Sequence, residues 1–124
     1  MPRTKRSAVS LRSSCPVAGA LDVIGDRWTL LVVRDLFAGK QRFGDFADAG
    51  EGIPTNVLAD RLARLEDGGL IESTPYQKNP PRYAYALTAK GREVKPVLAA
   101  LAQWSHRHVP GVKIPAGMAA LLGR

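Results

Sequence analysis

The 124-residue chain has a single cysteine, two histidines and no long apolar run. One thiol, Cys15, cannot form an intrachain disulfide and does not fit the paired-cysteine pattern of a structural zinc site. No apolar run reaches the roughly 20 residues of a membrane-spanning helix, and no apolar signal-peptide core follows the basic N-terminus. We therefore expect a cytoplasmic protein with no membrane partner, no metal ion and no cofactor.

Motifs for catalysis are missing as well. The sequence contains no carboxylate pair, no glycine-rich phosphate loop and no nucleophile motif. The two histidines, His106 and His108, are spaced near a helix end in a way that places them on different faces of that helix. An enzyme is therefore not expected.

Positive charge is in excess, with 18 basic residues, 11 acidic ones and a formal net charge of +7. Such an excess favours a polyanionic partner, most often nucleic acid, although a basic surface can also serve solubility alone. Residues 1–14 contain four basic residues and no acidic one, which predicts a flexible basic arm. Residues 52–72 differ, because they contain four acidic residues and only two basic ones.

Apolar spacing and turn residues divide the chain into short elements. The first predicted helix covers residues 16–24 with Cys15 as its N-cap, and the second follows a cap at Asp26. The second is apolar nearly all round, which is typical of a buried helix. The third covers "RFGDFADA", and "GEG" then makes a sharp turn. Pro54 opens a fourth helix, which ends near Asp67 before two glycines.

A hairpin and a final helix complete the pattern. Alternating residues in "LIESTPY" and "RYAYALT" predict two strands, and "QKNPP" is the turn between them. Thr88 is the expected cap of a last helix, which Pro96 kinks near its start. The predicted fold class is mainly α with a small β-hairpin: a helix-turn-helix and a basic wing, hence a winged helix-turn-helix.

The chain resembles the HxlR-type winged-helix transcription regulators, relatives of the MarR group, from about Ser14 to His108. The resemblance is carried, in order, by "CPVAGALDVIGDRWTLLVVRDLFAG", "RFGDF", "IPTNVLADRLARLEDGGLI", "RYAYALTAKG" and "LAALAQW". It implies a dimeric bacterial regulator that binds DNA, with a winged helix-turn-helix over residues 15–108 and a tail at 109–124. The chain departs from the family at Asp26-Arg27, where many members have Gly-Lys, and at Pro54, where many have serine.

The segment Pro54–Asp67 would be the recognition helix of such a regulator, and residues 70–87 would be its wing. A helix-turn-helix reads bases mainly through the N-terminal part of this helix, where asparagine can pair with adenine and threonine can offer its hydroxyl or methyl group. Its arginines are expected on phosphates or in pairs with carboxylates. An amphipathic helix with solvated charges and a polar hairpin turn are the alternatives. The predicted DNA-binding residues are Thr55, Asn56, Ala59, Asp60, Arg61 and Arg64 of the helix, Lys40 and Arg42 before the motif, and Lys78, Asn79 and Arg82 of the wing.

Cys15 is a candidate sensor. A cysteine at a helix N-terminus lies near the positive end of the helix dipole, which favours the reactive thiolate. Cys15 also matches the N-terminal cysteine of the family, which senses oxidants or electrophiles in several members. An inert thiol buried in an interface is the alternative.

The resemblance further implies that helices at both ends of the domain build a homodimer, which would bind a palindromic operator. The apolar stripe of the last helix can pack against its own domain or against a second copy. A winged helix that binds protein or RNA, without redox sensing, is the alternative function. The predicted interface residues are Val17, Leu21, Val97, Leu98, Leu101 and Trp104.

Overall fold

The computed structural model describes residues 13–118. Within that part the elements run, in order, α1 (Pro16–Ile24), α2 (Thr29–Phe37), α3 (Phe43–Ala47), α4 (Thr55–Asp67), β1 (Ile71–Gln77), β2 (Arg82–Leu87), α5 (Ala89–Arg92) and α6 (Lys95–His108), with a 3-10 turn at Ala116–Met118. The predicted fold class, mainly α with an antiparallel hairpin, is confirmed. Most of the predicted basic arm and the end of the predicted tail lie outside the described residues.

Cys15 takes the N-cap position of α1, as predicted, with an extended backbone at φ −65° and ψ 126°. Pro16 follows at the first helical position, where its missing N–H leaves no hydrogen bond unmade. The helix ends at Gly25, whose N–H donates to the Leu21 carbonyl at 2.9 Å. Only Ile24 of α1 is buried, so most of this helix remains open to solvent.

Asp26 lies two residues before Trp28, which is the N-cap of α2, so the predicted cap position is wrong, although the Asp26 side chain binds the N–H groups that precede the helix. Its Oδ2 accepts hydrogen bonds from the backbone N–H groups of Trp28, at 3.0 Å, and Thr29, at 3.3 Å, and the Thr29 hydroxyl donates to Oδ1. The helix therefore begins at Thr29 rather than directly after Asp26. Its other apolar residues are only half-buried, so α2 is less enclosed than its composition predicts. The apolar residues of α2 that reach the core are Val32, Val33 and Leu36.

Helices α3 and α4 form the helix-turn-helix. Gly50 and Gly52 between them have φ of 92° and 74°, in the left-handed region that glycine adopts without strain. Pro54 is the N-cap of α4, one residue before the helix starts. One face of α4 packs on α2 and α3 through three leucines at helical spacing, each at most 2% exposed: Leu58, Leu62 and Leu65.

The wing is the antiparallel hairpin of β1 and β2. Ile71 pairs with Leu87 at its base, and Pro75 pairs with Tyr83 near its turn. The register shifts between Pro75 and Gln77, which puts a bulge beside the turn. The strand bounds agree with the predicted strands to within one residue.

The free edge of β2 is partly covered by the segment that leads into α3. The Tyr85 N–H donates to the Gln41 carbonyl at 2.7 Å, and Arg42 forms an antiparallel bridge with Ala84. The Tyr85 ring also meets the edge of Phe46, with 6.4 Å between the ring centroids. The wing is therefore tied to the helix-turn-helix by backbone hydrogen bonds as well as by packing.

The predicted last helix is in fact two helices, α5 and α6. Thr88 Oγ1 accepts from the Gly91 N–H at 3.1 Å and caps α5. Pro96 lies in the first turn of α6, where its missing N–H is tolerated, so a new helix starts there instead of a kink in a continuous one. A Cβ on Gly91 would stand 2.0 Å from the Leu70 carbonyl oxygen, so α5 can lie this close to the sheet only with glycine there.

The core lies where α2, α3 and α4 meet the base of the hairpin, with one buried residue from α1 and one from α6. No helix among residues 13–118 is both long and apolar enough to cross a bilayer. The buried apolar residues are Ile24, Val32, Val33, Leu36, Phe46, Leu58, Leu62, Leu65, Leu70, Ile71 and Leu98.

Candidate nucleic-acid interface

The first turn of α4 presents small and polar side chains to solvent. Thr55, Asn56 and Ala59 are exposed, away from the buried leucines. Within residues 13–118, nothing hydrogen-bonds to the side chains of Thr55 or Asn56. The predicted base-reading residues thus share one open edge of α4, and their polar groups are available to a ligand. We call Thr55, Asn56 and Ala59 the open edge.

The middle of α4 is different, because its charged residues are paired. Arg61 Nε lies 2.7 Å from Asp26 Oδ2, and Arg61 Nη1 lies 2.5 Å from Asp60 Oδ2. Arg64 Nη1 approaches the same Asp60 oxygen at 3.7 Å. The Arg61 side chain is only 18% exposed, whereas Arg64 is more open at 41%. Pairing with Asp60 is one of the two expectations for the arginines of α4, whereas the contact of Arg61 with Asp26 in the α1–α2 loop was not predicted.

The Asp26 carboxylate accepts several hydrogen bonds at once. Burial raises the pKa of its carboxyl group, but the hydrogen bonds from Arg61, Thr29 and Trp28 outweigh burial and lower the pKa to about 2. The hydrogen bond to Asp26 is also the main cause that raises the pKa of Arg61. The contact between α4 and the α1–α2 loop is therefore an ion pair throughout the physiological pH range.

A second ion-pair cluster joins α2 to the turn of the helix-turn-helix. Arg34 Nε donates to Asp35 Oδ1 at 3.0 Å, and Arg34 Nη1 donates to Glu51 Oε2 at 2.9 Å. Burial raises the pKa of the Asp35 carboxyl group by more than Arg34 lowers it. Sequence reasoning missed the links from Arg61 to Asp26 and from Arg34 to Glu51, because these partners are 35 and 17 residues apart and no local pattern connects them.

The tip of the wing carries the basic residues that were predicted for it. Lys78 and Asn79 are exposed in the turn, and Arg82 is the exposed first residue of β2. The Gln77 side-chain amide donates to the Pro80 carbonyl at 3.0 Å and braces the turn. Lys78, Asn79 and Arg82 form a basic and polar tip that can reach a polyanion.

Arg42 lies against the wing rather than apart from it. Its guanidinium carbon is 4.2 Å from the centroid of the Tyr76 ring, a cation–π contact. Asp45 Oδ2 accepts from the Arg42 N–H at 3.2 Å and so helps to start α3. Arg82 and Tyr76 line the same cleft of about 360 Å³ between α3 and the wing. The start of α3, with Lys40 just before Arg42, therefore joins the wing in one basic surface.

Exposed apolar side chains remain on α1 and α6, and we call them the apolar face. Each is between 41% and 65% exposed, which is unusual for such large side chains. Leu98, the sixth residue predicted for a dimer interface, is different because it is buried in the core of its own subunit. The apolar face consists of Val17, Leu21, Val97, Leu101 and Trp104.

Cys15 is an exposed free thiol at the start of α1. Its backbone N–H donates to the Ser13 hydroxyl at 3.1 Å, and its side chain makes no capping hydrogen bond. Within its own subunit the thiol is therefore accessible rather than buried. In the described part of the chain, no three side chains of His, Cys, Asp or Glu are grouped to hold a metal ion.

A helix-turn-helix with an open polar edge on its second helix, followed by a hairpin tied to it, defines a winged helix-turn-helix protein. Residues 23–113 match the model of the HxlR-like helix-turn-helix family, and the chain belongs to that family.

Known relatives agree with this assignment. An uncharacterised HTH-type transcriptional regulator of Synechocystis sp. is 44% identical over 87 residues, which are 70% of this chain and 64% of that protein. The chain thus spans less than two thirds of that relative's length. The solved structure of PA1607, described as a candidate transcription factor, has a TM-score of 0.73 at 40% identity and covers 84% of this chain and 73% of that one. The redox regulator HypR in its reduced form has a TM-score of 0.71 at 30% identity, covering 77% of this chain and 95% of that one.

Proposed function

We propose that the protein is a regulator of transcription that binds double-stranded DNA as a homodimer, through α4 and the wing. The open edge of α4, with Thr55 and Asn56 in its first turn, is the observation that carries the proposal. In helix-turn-helix proteins this part of the second helix enters the major groove. Family membership supports the same function, as does the similarity to the HTH-type transcriptional regulator of Synechocystis.

Base reading and phosphate binding fall to different parts of the molecule. Thr55 and Asn56 offer hydroxyl and amide groups without charge, which suits the edges of bases. Positive charge lies instead on the wing and before α3, at Lys78, Arg82 and Arg42, where contacts with phosphates supply affinity without sequence preference. This division accounts for a recognition helix whose charges are paired in a protein of net charge +7.

The apolar face supports the homodimer. Exposed apolar patches usually mark interaction sites, and a second copy of the same face can cover this one around a two-fold axis. Such a dimer would present two α4 helices to half-sites about 34 Å apart on a palindromic operator.

A mobility-shift assay with the DNA upstream of the protein's own gene tests the function. Asn56→Ala should weaken binding to that DNA by about 10-fold to 100-fold, because one bidentate base contact contributes about 1–3 kcal/mol. Binding to a random-sequence duplex of equal length should change little. Gln103→Ala on α6 removes the same kind of group far from α4 in the sequence, and we expect it to bind like the wild type.

Two results would contradict the proposal. An equal loss on both duplexes would mean that Asn56 does not read bases. Absence of any shift at low salt, on either duplex, would exclude DNA binding and favour the alternative role in protein or RNA contacts.

We further propose that Cys15 senses oxidants or electrophiles. The exposed thiol supports this, as does the similarity to the redox regulator HypR. With one cysteine per chain, a disulfide must join two subunits or attach a small thiol, and a quinone could instead alkylate the sulfur. Treatment with hydrogen peroxide or a quinone should change the DNA affinity of the wild type and leave that of Cys15→Ser unchanged. The same response in both proteins would end the idea.

A further inference from the structure

The loop between α1 and α2 lies directly against the recognition helix. The link is the ion pair between Asp26 in the loop and Arg61 in α4, at 2.7 Å. Asp26 is fixed in turn by the N–H groups of Trp28 and Thr29, so the loop has little freedom to move away from α4. Any side chain that this loop exposes is therefore held beside the helix that we propose enters the major groove.

Arg27 is such a side chain. It is exposed, and its guanidinium carbon lies 4.9 Å from the centroid of the Trp28 ring. No carboxylate pairs with Arg27 anywhere in residues 13–118. A cation–π contact uses the flat face of the guanidinium and leaves the N–H donors in its plane able to bind an oxyanion in a bidentate manner.

The recognition helix itself has no comparable cation. Arg61 is shared between Asp26 and Asp60, and Arg64 is near the same Asp60 carboxylate. The N–H groups of Trp28 and Thr29 at the start of α2 already bind Asp26, so these two donors are not open to a phosphate. A helix in the major groove has phosphates along both of its sides, and these contacts fix its register.

We propose that Arg27 binds a DNA phosphate next to the recognition helix, and that the Asp26–Arg61 pair positions it there. The inference rests on the proposed DNA-binding function and extends the interface to a loop outside the helix-turn-helix and the wing. The pairing of Arg61 explains why the helix needs a cation from its neighbour: its own arginine holds the loop in place.

The test is the salt dependence of DNA affinity, measured by fluorescence anisotropy with the full-length protein. Two duplexes of equal length serve as probes, one from upstream of the protein's own gene and one of random sequence. Arg27→Gln should reduce the slope of log K against log salt by about 0.9 for each bound subunit, on both duplexes alike. Arg27→Lys should keep the slope, since it keeps the charge.

Lys113→Gln is the charge-matched control. Lys113 is exposed in the segment that leads to Pro115 and Met118, which lie beside the C-terminal end of α2, whereas Arg27 precedes its N-terminal end. We expect Lys113→Gln to keep the wild-type slope. Equal slopes for the wild type and Arg27→Gln, or equal losses in Arg27→Gln and Lys113→Gln, would overturn the assignment of Arg27. Failure of the wild type to bind either duplex would instead overturn the proposed function itself.

Discussion

Helices α4 and α6 both carry an apolar stripe at helical spacing, but only one stripe is covered. In α4, Leu58, Leu62 and Leu65 are at most 2% exposed, whereas Leu101 and Trp104 of α6 are half exposed or more. The same sequence pattern therefore has two outcomes within one chain. Periodicity predicts that a helix has an apolar face, and the surrounding fold decides whether that face is core or surface.

The largest difference in the free energy of unfolding should appear when one leucine of each stripe is replaced by alanine. Leu62→Ala should lower the free energy of unfolding by about 2–5 kcal/mol, because it removes buried methyl groups and leaves a cavity. Leu101→Ala should lower the free energy of unfolding much less at protein concentrations where the chain is monomeric. Urea denaturation of both variants over a range of protein concentrations measures the two effects. Equal losses at low concentration would mean that the α6 stripe is core after all.

A charge introduced into the exposed apolar stripe of α6 should weaken dimerisation rather than folding. Leu101→Asp should raise the dissociation constant of the proposed dimer by about 10-fold to 100-fold, because an unpaired carboxylate would be buried at its centre. Sedimentation velocity measures the shift, and the melting curve of the monomer should stay close to that of the wild type. His106→Asp, on another side of α6, is the control. A wild-type chain that remains monomeric at high protein concentration would contradict the proposed dimer.

The smallest effect on the free energy of unfolding is expected from the ion pair of Asp26 with Arg61 in α4, a kind of contact that the α6 stripe lacks. The pKa of Asp26 is lowered from 3.8 to about 2, so its ionised form stabilises the fold. That stabilisation is complete above pH 3.8 and is lost as the pH falls through about 2. Asp26→Asn should therefore lower the free energy of unfolding at pH 7 by about 1 kcal/mol, since solvent partly screens the pair.

The pH dependence sharpens this test. The difference in stability between the wild type and Asp26→Asn should shrink between pH 4 and pH 2, as measured by urea denaturation at each pH. Asp48→Asn removes an exposed carboxylate at the end of α3 and should show no comparable trend. A difference that stays constant with pH would mean that Asp26 acts through its shape and not through its charge.

The order of the elements and several of their starts could be predicted because local signals set them. Pro16 and Pro54 fix helix starts, Gly50 and Gly52 supply the turn, and alternation marks both strands. These signals depend on backbone sterics within a few residues, so one sequence is enough to read them. Thr88 could also be predicted as a helix N-cap, although the helix that it caps ends sooner than predicted.

The candidate site was predictable only where exposure follows from periodicity. Helical geometry places Asn56 opposite the leucines and Thr55 on the flank beside it, and the structure has both exposed. The contact of Arg61 with Asp26 was not predictable, because the two residues are 35 positions apart in the chain. Leu98 and Leu101 illustrate the same limit: both fit an apolar stripe, and only the packing of the whole domain separates the buried residue from the exposed one.

The absence of a side chain at Gly91 matters beyond its own contact with Leu70. Gly91 lies in α5, the short helix through which the chain passes from the wing to α6, and a side chain there would collide with the Leu70 carbonyl. In a two-fold dimer built on α6, any rotation of that helix relative to the sheet is applied twice, once in each subunit. For the dimer that we propose, a bulkier residue at position 91 is therefore expected to change the spacing between the two copies of α4 as well as the packing within one subunit.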